Sequence, residues 1–402
     1  MLHTQQFQNQ KTGLSLQIIP MHNIIILKRL MENLTELFGE MAIEKQKLSV
    51  CLPLIAQWYA ESRRLLPWRL EPTPYHVWLS EIMLQQTRIE AVIPYYERFL
   101  SELPTIQALA QVEDDRLMKL WEGLGYYSRA RNLKKAAVLV VEKYGGTLPC
   151  EAAELKKLPG IGDYTAGAIA SIAYGQPEPA VDGNVLRVVT RLLACSEDIQ
   201  AAKTKARVTE LLRQSYPNGK NAALLTEGMM ELGETVCIPN GEARCMLCPV
   251  KEHCLAHKTG TVDRYPVRSP KKERRIEERM VLLLRCGEKY AICKRSEGGL
   301  LAGLWEFPNA EGRLGEAEAA AYAGALGLTV TGIAPCARKK HIFTHVEWHM
   351  GAYLIDCTDE AGNYIWKYPW EIQAEYSIPT AFRFYLKLIS ENGRPETVKN
   401  PT

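Results

Sequence analysis

The sequence has no hydrophobic run of the length that spans a membrane, and no secretory signal peptide is evident. A large excess of one charge is also missing, because the formal net charge is only +3. We therefore expect a cytoplasmic protein with no membrane partner, associated with the nucleoid if it is bacterial. Any contact with nucleic acid must depend on basic residues that are concentrated locally.

The length of 402 residues and the hydrophobic content of 47% favour a globular protein of two or three domains. Eleven cysteines are present, and four of them lie within one short segment at a spacing typical of metal ligands. The other seven occur singly. This distribution favours a reducing compartment over a disulfide framework.

The pattern of apolar residues divides the chain into five segments. Residues 1–44 form an extension of uncertain structure that we expect to be dispensable, and residues 45–257 show helical periodicity throughout. Residues 258–278 predict a basic, extended linker. Residues 279–392 show strand-like patterns and one short helix, and residues 393–402 form a tail. The fold class predicted is an all-α domain followed by an α+β domain.

Apolar residues recur at helical spacing in six segments of the first domain, namely Leu52–Tyr59, Val77–Leu84, Leu109–Trp121, Ala130–Tyr144, Tyr164–Tyr174 and Val185–Leu193. In the second domain, strands are predicted at Met280–Leu284, Tyr290–Lys294 and Trp348–Ile355, with a helix at Glu316–Leu326.

Four cysteines within residues 237–254 predict a metal centre. Seven, two and five residues separate Cys237, Cys245, Cys248 and Cys254 in turn. Four thiolates suit either structural zinc or an iron–sulfur cluster. Zinc sites usually place two short pairs around a longer spacer, so this spacing favours a [4Fe–4S] cluster.

A hairpin and an aspartate lie upstream of the cysteines. Gly160 and Gly162 separate two predicted helices and leave backbone N–H groups free to bind one phosphate of a DNA strand. An ordinary helix–turn–helix is the alternative. Asp182 precedes a further helix, where a carboxylate is most often only an N-cap. The order of hairpin, aspartate and cysteines favours chemistry on DNA.

The motifs "LPGIGDYTAGAIASIAYG" and "AVDGNVLRVVTR", followed by the cysteines, resemble the helix-hairpin-helix DNA glycosylases of the endonuclease III superfamily. Within that superfamily, "LPWR", "WLSEIMLQQT" and "WEGLGYYSRARNL" resemble the adenine DNA glycosylases of the MutY type. The resemblance covers roughly residues 48–257. It implies a monomer that removes adenine mispaired with 8-oxoguanine or guanine in double-stranded DNA.

The resemblance implies two catalytic carboxyl groups. Glu81 lies among apolar neighbours that raise its pKa, so that it protonates the flipped adenine. Asp182 stabilises the sugar cation, by electrostatics or by transient covalent capture, as in glycoside hydrolysis. Asn184 orients Asp182 or the attacking water. Tyr164 occupies the position where strand-cleaving relatives carry a lysine, so the enzyme is expected to be monofunctional.

The resemblance also implies substrate contacts. Arg64, Trp68, Arg69, Leu84 and Glu227 are expected to line the adenine pocket. Gln86 and Tyr126 are expected to enter the DNA helix beside the opposing lesion. Ordinary core packing is the competing interpretation for Trp68 and Leu84.

The C-terminal segment Gly298–Pro308 resembles the opening of a Nudix fold, but Gly315–Leu326 lacks the glutamates with which Nudix hydrolases bind divalent metal. We therefore predict a Nudix-like domain that recognises the lesion. Phe343, Thr344 and His345 resemble a Phe-Ser-His loop that senses 8-oxoguanine, with threonine in place of serine.

The sequence departs from the family pattern in the first cysteine gap, which holds seven residues where six are usual. Three other functions remain open: a thymine or uracil mismatch glycosylase, a non-catalytic iron–sulfur DNA-binding or redox module, and a Nudix nucleotide hydrolase. Glu81 and Asp182 argue against a binding module, and the missing glutamates argue against the hydrolase.

Overall fold

The chain forms a helical domain followed by a domain built on a β-sheet, which confirms the predicted fold class. The structure is a computed structural model and describes residues 21–270 and 273–392. The predicted tail 393–402 and residues 1–20 of the predicted extension lie outside the described residues. Among the helices of the described ranges, none is long and apolar enough to cross a membrane.

The helical domain contains thirteen α-helices. They are α1 (Met21–Ser62), α2 (Pro67–Leu70), α3 (Pro74–Leu84), α4 (Ile89–Glu102), α5 (Ile106–Gln111), α6 (Asp114–Leu120), α7 (Ser128–Tyr144), α8 (Ala152–Leu155), α9 (Asp163–Ala168), α10 (Gly183–Leu193), α11 (Ala202–Arg213), α12 (Lys220–Thr235) and α13 (Leu255–Lys258). A π-helical turn, Ile169–Ala173, continues α9.

The helical domain has two hydrophobic cores, and each defines a lobe. The first lobe is buried around residues between Leu66 and Ala170, with Trp78 and Trp121 fully buried. The second lobe combines Leu48–Ala56 of α1 with residues between Val181 and Ala256. Because α1 packs on α12, the second lobe joins two distant parts of the chain.

The structure has no boundary at residue 44, because α1 continues through it. Glu44 forms an ion pair of 2.6 Å with Arg207 of α11, and Leu48 is fully buried one turn further on. The end of the predicted extension is therefore part of the helical domain. The apolar residues before residue 48 show too little pattern to have predicted the helix, which α11 and α12 support by tertiary contact.

The predicted single helix Leu109–Trp121 is two helices, α5 and α6. Val112 and Glu113 both have extended backbone torsions, and these residues cap the end of α5 and the start of α6. The apolar spacing is helical on both sides of the break, and for this reason the periodicity alone predicted one continuous helix.

The first half of the predicted linker binds the second lobe. The carbonyl of Tyr265 accepts a hydrogen bond from Arg191 at 3.0 Å, and the carbonyl of Val267 accepts one from the backbone of Ile199 at 3.1 Å. The first strand then begins at Arg275, inside the predicted linker. Only a short stretch, part of which lies outside the described residues, therefore separates the domains.

The second domain contains seven strands and three helices. They are β1 (Arg275–Cys286), β2 (Lys289–Lys294), β3 (Trp305–Glu306), β4 (Asn309–Glu311), α14 (Glu316–Ala325), β5 (Val330–Ile342), β6 (Val346–Cys357), β7 (Ile365–Lys367), α15 (Pro369–Glu375) and α16 (Thr380–Asn392).

The sheet has the order β3-β2-β1-β6-β5, with β4 paired to β1 and β7 to β2. Strands β1 and β6 are parallel, and Arg275 lies opposite Val346. Alternate residues of β1 point to opposite faces. Val281 packs in a core with α16, whereas Leu282 packs in a core with α14. The sheet is therefore covered by a helix on each face.

Direct contacts join the two domains. The backbone N–H of Ile378 donates to Glu122 at 3.1 Å, and Arg131 of α7 donates to the carbonyl of Ala302 at 2.7 Å. The Lys119 ammonium donates to the carbonyls of Gln373 at 2.6 Å and Tyr376 at 3.1 Å. These bonds hold the loop between α6 and α7 against the sheet domain.

Candidate active site

Glu81 and Tyr164 meet at the centre of the helical domain. Glu81 lies on α3 and is 6% exposed, and the Tyr164 hydroxyl at the start of α9 donates a hydrogen bond of 2.6 Å to its Oε2. The Tyr164 hydroxyl also lies 3.6 Å from the sulfur of Met230. The other carboxyl oxygen, Oε1, has no hydrogen-bond donor among the described residues.

Asp182 caps the start of α10. Its Oδ1 accepts the backbone N–H of Val185 at 2.8 Å, and its Oδ2 accepts from the side-chain amide of Asn184 at 2.9 Å. Asp182 can act as an N-cap and also have a functional role. Its two carboxylate oxygens accept these hydrogen bonds, while the side chain stays only half-buried. Burial raises the pKa of Asp182, while the N–H groups of Val185 and Asn184 oppose the increase.

The two carboxyl groups come from different lobes and lie close enough to interact. Burial raises the pKa of Glu81 to about 7. The hydrogen bond from Tyr164 opposes this increase, and the negative charges of Asp182 and Glu227 add to it. One carboxyl group is therefore protonated in a substantial fraction of molecules near neutral pH, beside a second that is held by amide donors. Such a pair can supply both a proton and a negative charge.

Beside this pair, two arginines and three glutamates form a partly buried network of ion pairs. Arg69 lies 2.9 Å from Glu231 and 3.6 Å from Glu227, and its guanidinium group stacks over the ring of Tyr59. Arg64 forms ion pairs with Glu231 and, at 2.8 Å, with Glu234. Arg64, Arg69 and Glu227 therefore lie together, as the sequence predicts for a pocket.

Trp68 and Leu84 lie in different surroundings. Trp68 is 6% exposed and packs edge-on against Tyr96, with the ring centroids 5.4 Å apart. Leu84, the last residue of α3, is half-buried against the first core. Both side chains contribute to packing, and Leu84 stays partly accessible.

Gln86 and Tyr126 occupy turns with unusual backbone geometry. Gln86 follows α3 with a φ of 59°, and Tyr126 precedes α7 with a φ of 47°. A positive φ costs a non-glycine residue roughly 1–2 kcal/mol, so the surroundings must hold each turn. Both side chains are exposed, Tyr126 to 46%. We name residues 85–87 and 124–126 the wedge turns.

The wedge turns face the sheet domain across a cleft of about 1950 Å³. Phe343, Thr344 and His345 line the opposite side, in the turn between β5 and β6. Phe343 packs edge-on against Trp348 with the centroids 4.9 Å apart, whereas Thr344 and His345 are exposed. The predicted lesion loop therefore faces the predicted intercalating residues.

The hairpin glycines precede α9. Gly160 has a φ of 80°, and a Cβ there would come within 2.8 Å of Asn132, so only glycine fits. Gly162 is exposed at the start of α9, with open space where a Cβ would lie. Phosphate binding by these two residues stays a prediction.

The four clustered cysteines line one small cavity. Cys237, Cys245, Cys248 and Cys254 surround it together with aliphatic side chains and Arg191. Arg191 donates a hydrogen bond of 3.3 Å to the sulfur of Cys237, a geometry that suits a thiolate. Among the described residues, no three His, Cys, Asp or Glu side chains are grouped closely enough to hold a single metal ion. All eleven cysteines are free.

Arg187 connects the cysteine loop with the carboxylate of Asp182. Its guanidinium group donates to the carbonyl of Cys237 at 2.7 Å and to the side-chain oxygen of Asn184 at 2.7 Å. Asn184 in turn donates to Asp182. The position of Asp182 therefore depends on the cysteine loop.

Sequence reasoning missed Arg187, Glu231 and Arg129. Glu231 lies four residues after Glu227 on α12, so helical spacing could have placed both carboxylates on one face. No local pattern identifies Arg187 or Arg129, because each acts through contacts with distant parts of the chain.

Comparison with known proteins gives matches in both domains. The profile of HhH-GPD superfamily base excision DNA repair proteins matches residues 79–214, and the NUDIX domain profile matches residues 279–388. The chain is 37% identical to the adenine DNA glycosylase of Arabidopsis thaliana over 321 residues, which covers 69% of this chain and 49% of that protein.

A second relative is the adenine DNA glycosylase of Buchnera aphidicola subsp. Acyrthosiphon pisum (strain APS), which is 34% identical over 256 residues, covering 63% of this chain and 73% of that protein. A solved structure of a trapped endonuclease III–DNA covalent intermediate is 26% identical with a TM-score of 0.46, covering 54% of this chain and 98% of that chain. The chain thus spans about half the length of the Arabidopsis relative and about three quarters of the Buchnera one.

Proposed function

Since the chain belongs to the adenine DNA glycosylase family, we propose that it is a base-excision repair enzyme that removes adenine mispaired with 8-oxoguanine or guanine. The reaction is hydrolysis of the N-glycosidic bond in double-stranded DNA. The observation that carries the proposal is the pair formed by the buried Glu81, whose pKa is raised to about 7, and the amide-held Asp182.

Glu81 acts as the general acid. The Tyr164 hydroxyl occupies Oε2, so Oε1 carries the proton and gives it to N7 of the flipped adenine. The bond between the sugar C1′ and adenine N9 then breaks, and its electron pair leaves with the base. The high pKa of Glu81 keeps the proton available near neutral pH.

Asp182 stabilises the cation that remains on the sugar. Its carboxylate is fixed by Val185 and Asn184, so its charge is already oriented when positive charge develops at C1′. A water molecule adds to C1′ and loses its proton to the ionised Glu81. The products are free adenine and an abasic site.

The strand is not cleaved efficiently, because Tyr164 has no amine. A Schiff base with the sugar aldehyde needs an amine at this position, and a phenol cannot form one. Burial raises the pKa of the Tyr164 hydroxyl well above its ordinary value, which keeps it a hydrogen-bond donor to Glu81.

The interdomain cleft recognises the base opposite adenine. Gln86 and Tyr126 enter the duplex from the helical domain, while Phe343, Thr344 and His345 contact the opposing base from the sheet domain. The Thr344 hydroxyl serves in the role that serine has in the family loop, since both side chains carry a hydroxyl group.

The cysteine loop holds a [4Fe–4S] cluster. The shared cavity and the hydrogen bond from Arg191 to Cys237 suit four thiolate ligands, and Cys237, Cys245, Cys248 and Cys254 would each bind one iron. The cluster, when bound, supplies a cross-link between these four positions. The loop then supports Arg187 and, through Asn184, the orientation of Asp182.

The test is single-turnover base release from a duplex with adenine opposite 8-oxoguanine, beside a duplex with thymine opposite guanine. Strand scission is read before and after alkali. We expect adenine release, with scission only after alkali. A matched duplex with adenine opposite thymine is the substrate control and should stay intact.

Three results would contradict the proposal: release of thymine, no release of adenine, or strand scission without alkali. The first would indicate a thymine mismatch glycosylase. Hydrolysis of free nucleoside diphosphate-linked compounds by the full chain would support the Nudix alternative. Binding of the mismatched duplex without release of a base would support the alternative of a non-catalytic DNA-binding module.

A further inference from the structure

Arg129, on the first turn of α7, is a buried cation without an acidic partner among the described residues. It is 8% exposed, and burial lowers the pKa of its guanidinium group to about 10, so it remains charged at neutral pH. Its six hydrogen-bond acceptors are the carbonyls of Ile82 (2.7 Å), Met83 (2.8 Å), Gln85 (2.9 Å), Leu124 (3.2 Å) and Gly125 (3.2 Å) and Oγ1 of Thr87 (3.3 Å).

These acceptors compensate the charge in place of a carboxylate. Three of them are carbonyls at the C-terminal end of α3, where the helix dipole is negative and favours a cation. The guanidinium group also stacks over Trp121 and Tyr126, with its carbon 5.4 Å and 5.5 Å from the ring centroids. Arg129 is therefore fixed on two sides by rings and on two edges by carbonyls.

The guanidinium group binds both wedge turns. Nη1 binds the carbonyls at the end of α3, up to Gln85 before Gln86. Nη2 binds the carbonyls of Leu124 and Gly125, which precede Tyr126, and also Oγ1 of Thr87 in the first turn. Both turns contain a residue with positive φ, a conformation that needs external support. One side chain therefore supports both strained turns at once.

We infer that Arg129 is a positioning residue that holds Gln86 and Tyr126 in the geometry with which both enter DNA, and ties them to the helix that carries Glu81. This inference rests on the proposed function. Since the carbonyls of Ile82 and Met83 directly follow Glu81 on α3, the same guanidinium group fixes the acid relative to the intercalating side chains. Arg129 thus supports both the turns that open the duplex and the helix that positions the proton donor.

A lysine cannot replace this arginine. An ammonium group is a single point with three donors, so it can replace the hydrogen bonds of one guanidinium nitrogen but not those of both. Arg129→Lys keeps the positive charge and the stem, and is expected to fold. Arg129→Met removes the charge as well. Arg207→Met is the matched control, because it removes a half-buried arginine of the second lobe that pairs with Glu44, far from the wedge turns.

The first measurement is amide hydrogen exchange of the free, full-length protein, which does not depend on activity. In Arg129→Lys, we expect exchange at least about tenfold faster in peptides covering both wedge turns, with unchanged exchange elsewhere. Arg207→Met should leave both turns as in the wild type. Faster exchange in one turn only, or unchanged exchange in both, would overturn the inference.

The second measurement is duplex opening. A duplex with 2-aminopurine opposite 8-oxoguanine becomes more fluorescent when the base leaves the stack, and saturating protein removes any effect of affinity. Arg129→Lys should lower the fluorescence increase at least about threefold and single-turnover adenine release at least about tenfold. If Arg129→Lys gave the same fluorescence increase and the same rate of adenine release as the wild type, the inference would be overturned. If the wild type releases no adenine, the proposed function fails, while hydrogen exchange still decides the role of Arg129.

Discussion

The hydroxyl of Tyr126 lies 3.0 Å from Oγ1 of Thr344, and this hydrogen bond joins a strained turn of the helical domain to the turn between β5 and β6 of the sheet domain. Either oxygen can donate. The contact therefore links residues from the two sides of the interdomain cleft.

We expect Thr344→Val to lower the preference for 8-oxoguanine over guanine opposite adenine. Valine keeps the shape and loses the hydroxyl, which removes the bond to Tyr126 and the contact proposed for the lesion. A hydrogen bond of this type contributes about 0.5–1.5 kcal/mol, or roughly two- to tenfold in the ratio of single-turnover rates. Thr331→Val, at an exposed position of the same sheet, is the control.

The same pair can be tested by a double-mutant cycle with Tyr126→Phe. If the contact contributes to discrimination, the double variant loses less than the sum of the two single variants. Additive losses would contradict a functional role for the bond.

Adenine release should decrease as the pH rises above neutrality. Burial raises the pKa of Glu81 to about 7, and the protonated form is the active one, so the rate falls by about tenfold per pH unit well above that value. Single-turnover rates across this range give the profile, with mismatch affinity as the control. A rate that increases with pH would assign Glu81 to another role.

Glu81 should also make the protein less stable at alkaline pH. The pKa of Glu81 in the folded state exceeds its ordinary value of 4.5. The contribution of Glu81 to stability is therefore fully present below pH 4.5 and is lost as the pH rises through about 7. Glu81→Gln removes an ionisation that costs up to about 3 kcal/mol. We expect Glu81→Gln to unfold at higher denaturant concentration than the wild type at alkaline pH, with little difference in acid. If the wild type instead unfolded at the higher denaturant concentration at alkaline pH, the Glu81 carboxylate would not be buried.

Asp182→Asn should abolish base release, by about a thousandfold or more, while mismatch binding persists. Asparagine can still accept the N–H of Val185, so the cap of α10 remains, but the negative charge is gone. Single-turnover release and gel-shift affinity are measured together, with Asp114→Asn as an exposed control. Equal loss of binding and release would remove Asp182 from the chemistry.

Cys248→Ser should lower the bound iron and the affinity for DNA together. The serine hydroxyl is a poor ligand for the iron of a cluster, and loss of one ligand opens the cavity shared by the four cysteines. Iron and sulfide content, the brown chromophore and mismatch affinity are compared with those of Cys150→Ser, which lies outside the cavity. Bound zinc in place of iron would support a structural zinc site.

Local sequence patterns predicted the elements that carry the chemistry. Helical periodicity located α3, α7 and α10, because apolar residues recur at helical spacing in each of them. The expected surroundings of Glu81 followed from its apolar neighbours in sequence. Its hydrogen bond with Tyr164 was not predicted, since 83 positions separate the two residues in the sequence.

Long-range contacts were the part that could not be predicted. The parallel pairing of β1 with β6 joins Arg275 to Val346, and nothing local specifies that partner. The early start of α1 depends on α11 and α12, and the support of the wedge turns depends on Arg129. In each case the contact that determines the structure joins residues far apart in the sequence. The local spacing of apolar residues cannot predict such a contact.

The divided second lobe has a consequence for biosynthesis. A ribosome releases α1 early, but the partner surface on α12 and the loop up to Ala256 emerge only after the whole first lobe. The first lobe can fold while translation continues, whereas α1 cannot pack until α12 has been synthesised. Because Glu81 and Asp182 belong to different lobes, a nascent chain acquires catalytic competence only when this late closure is complete.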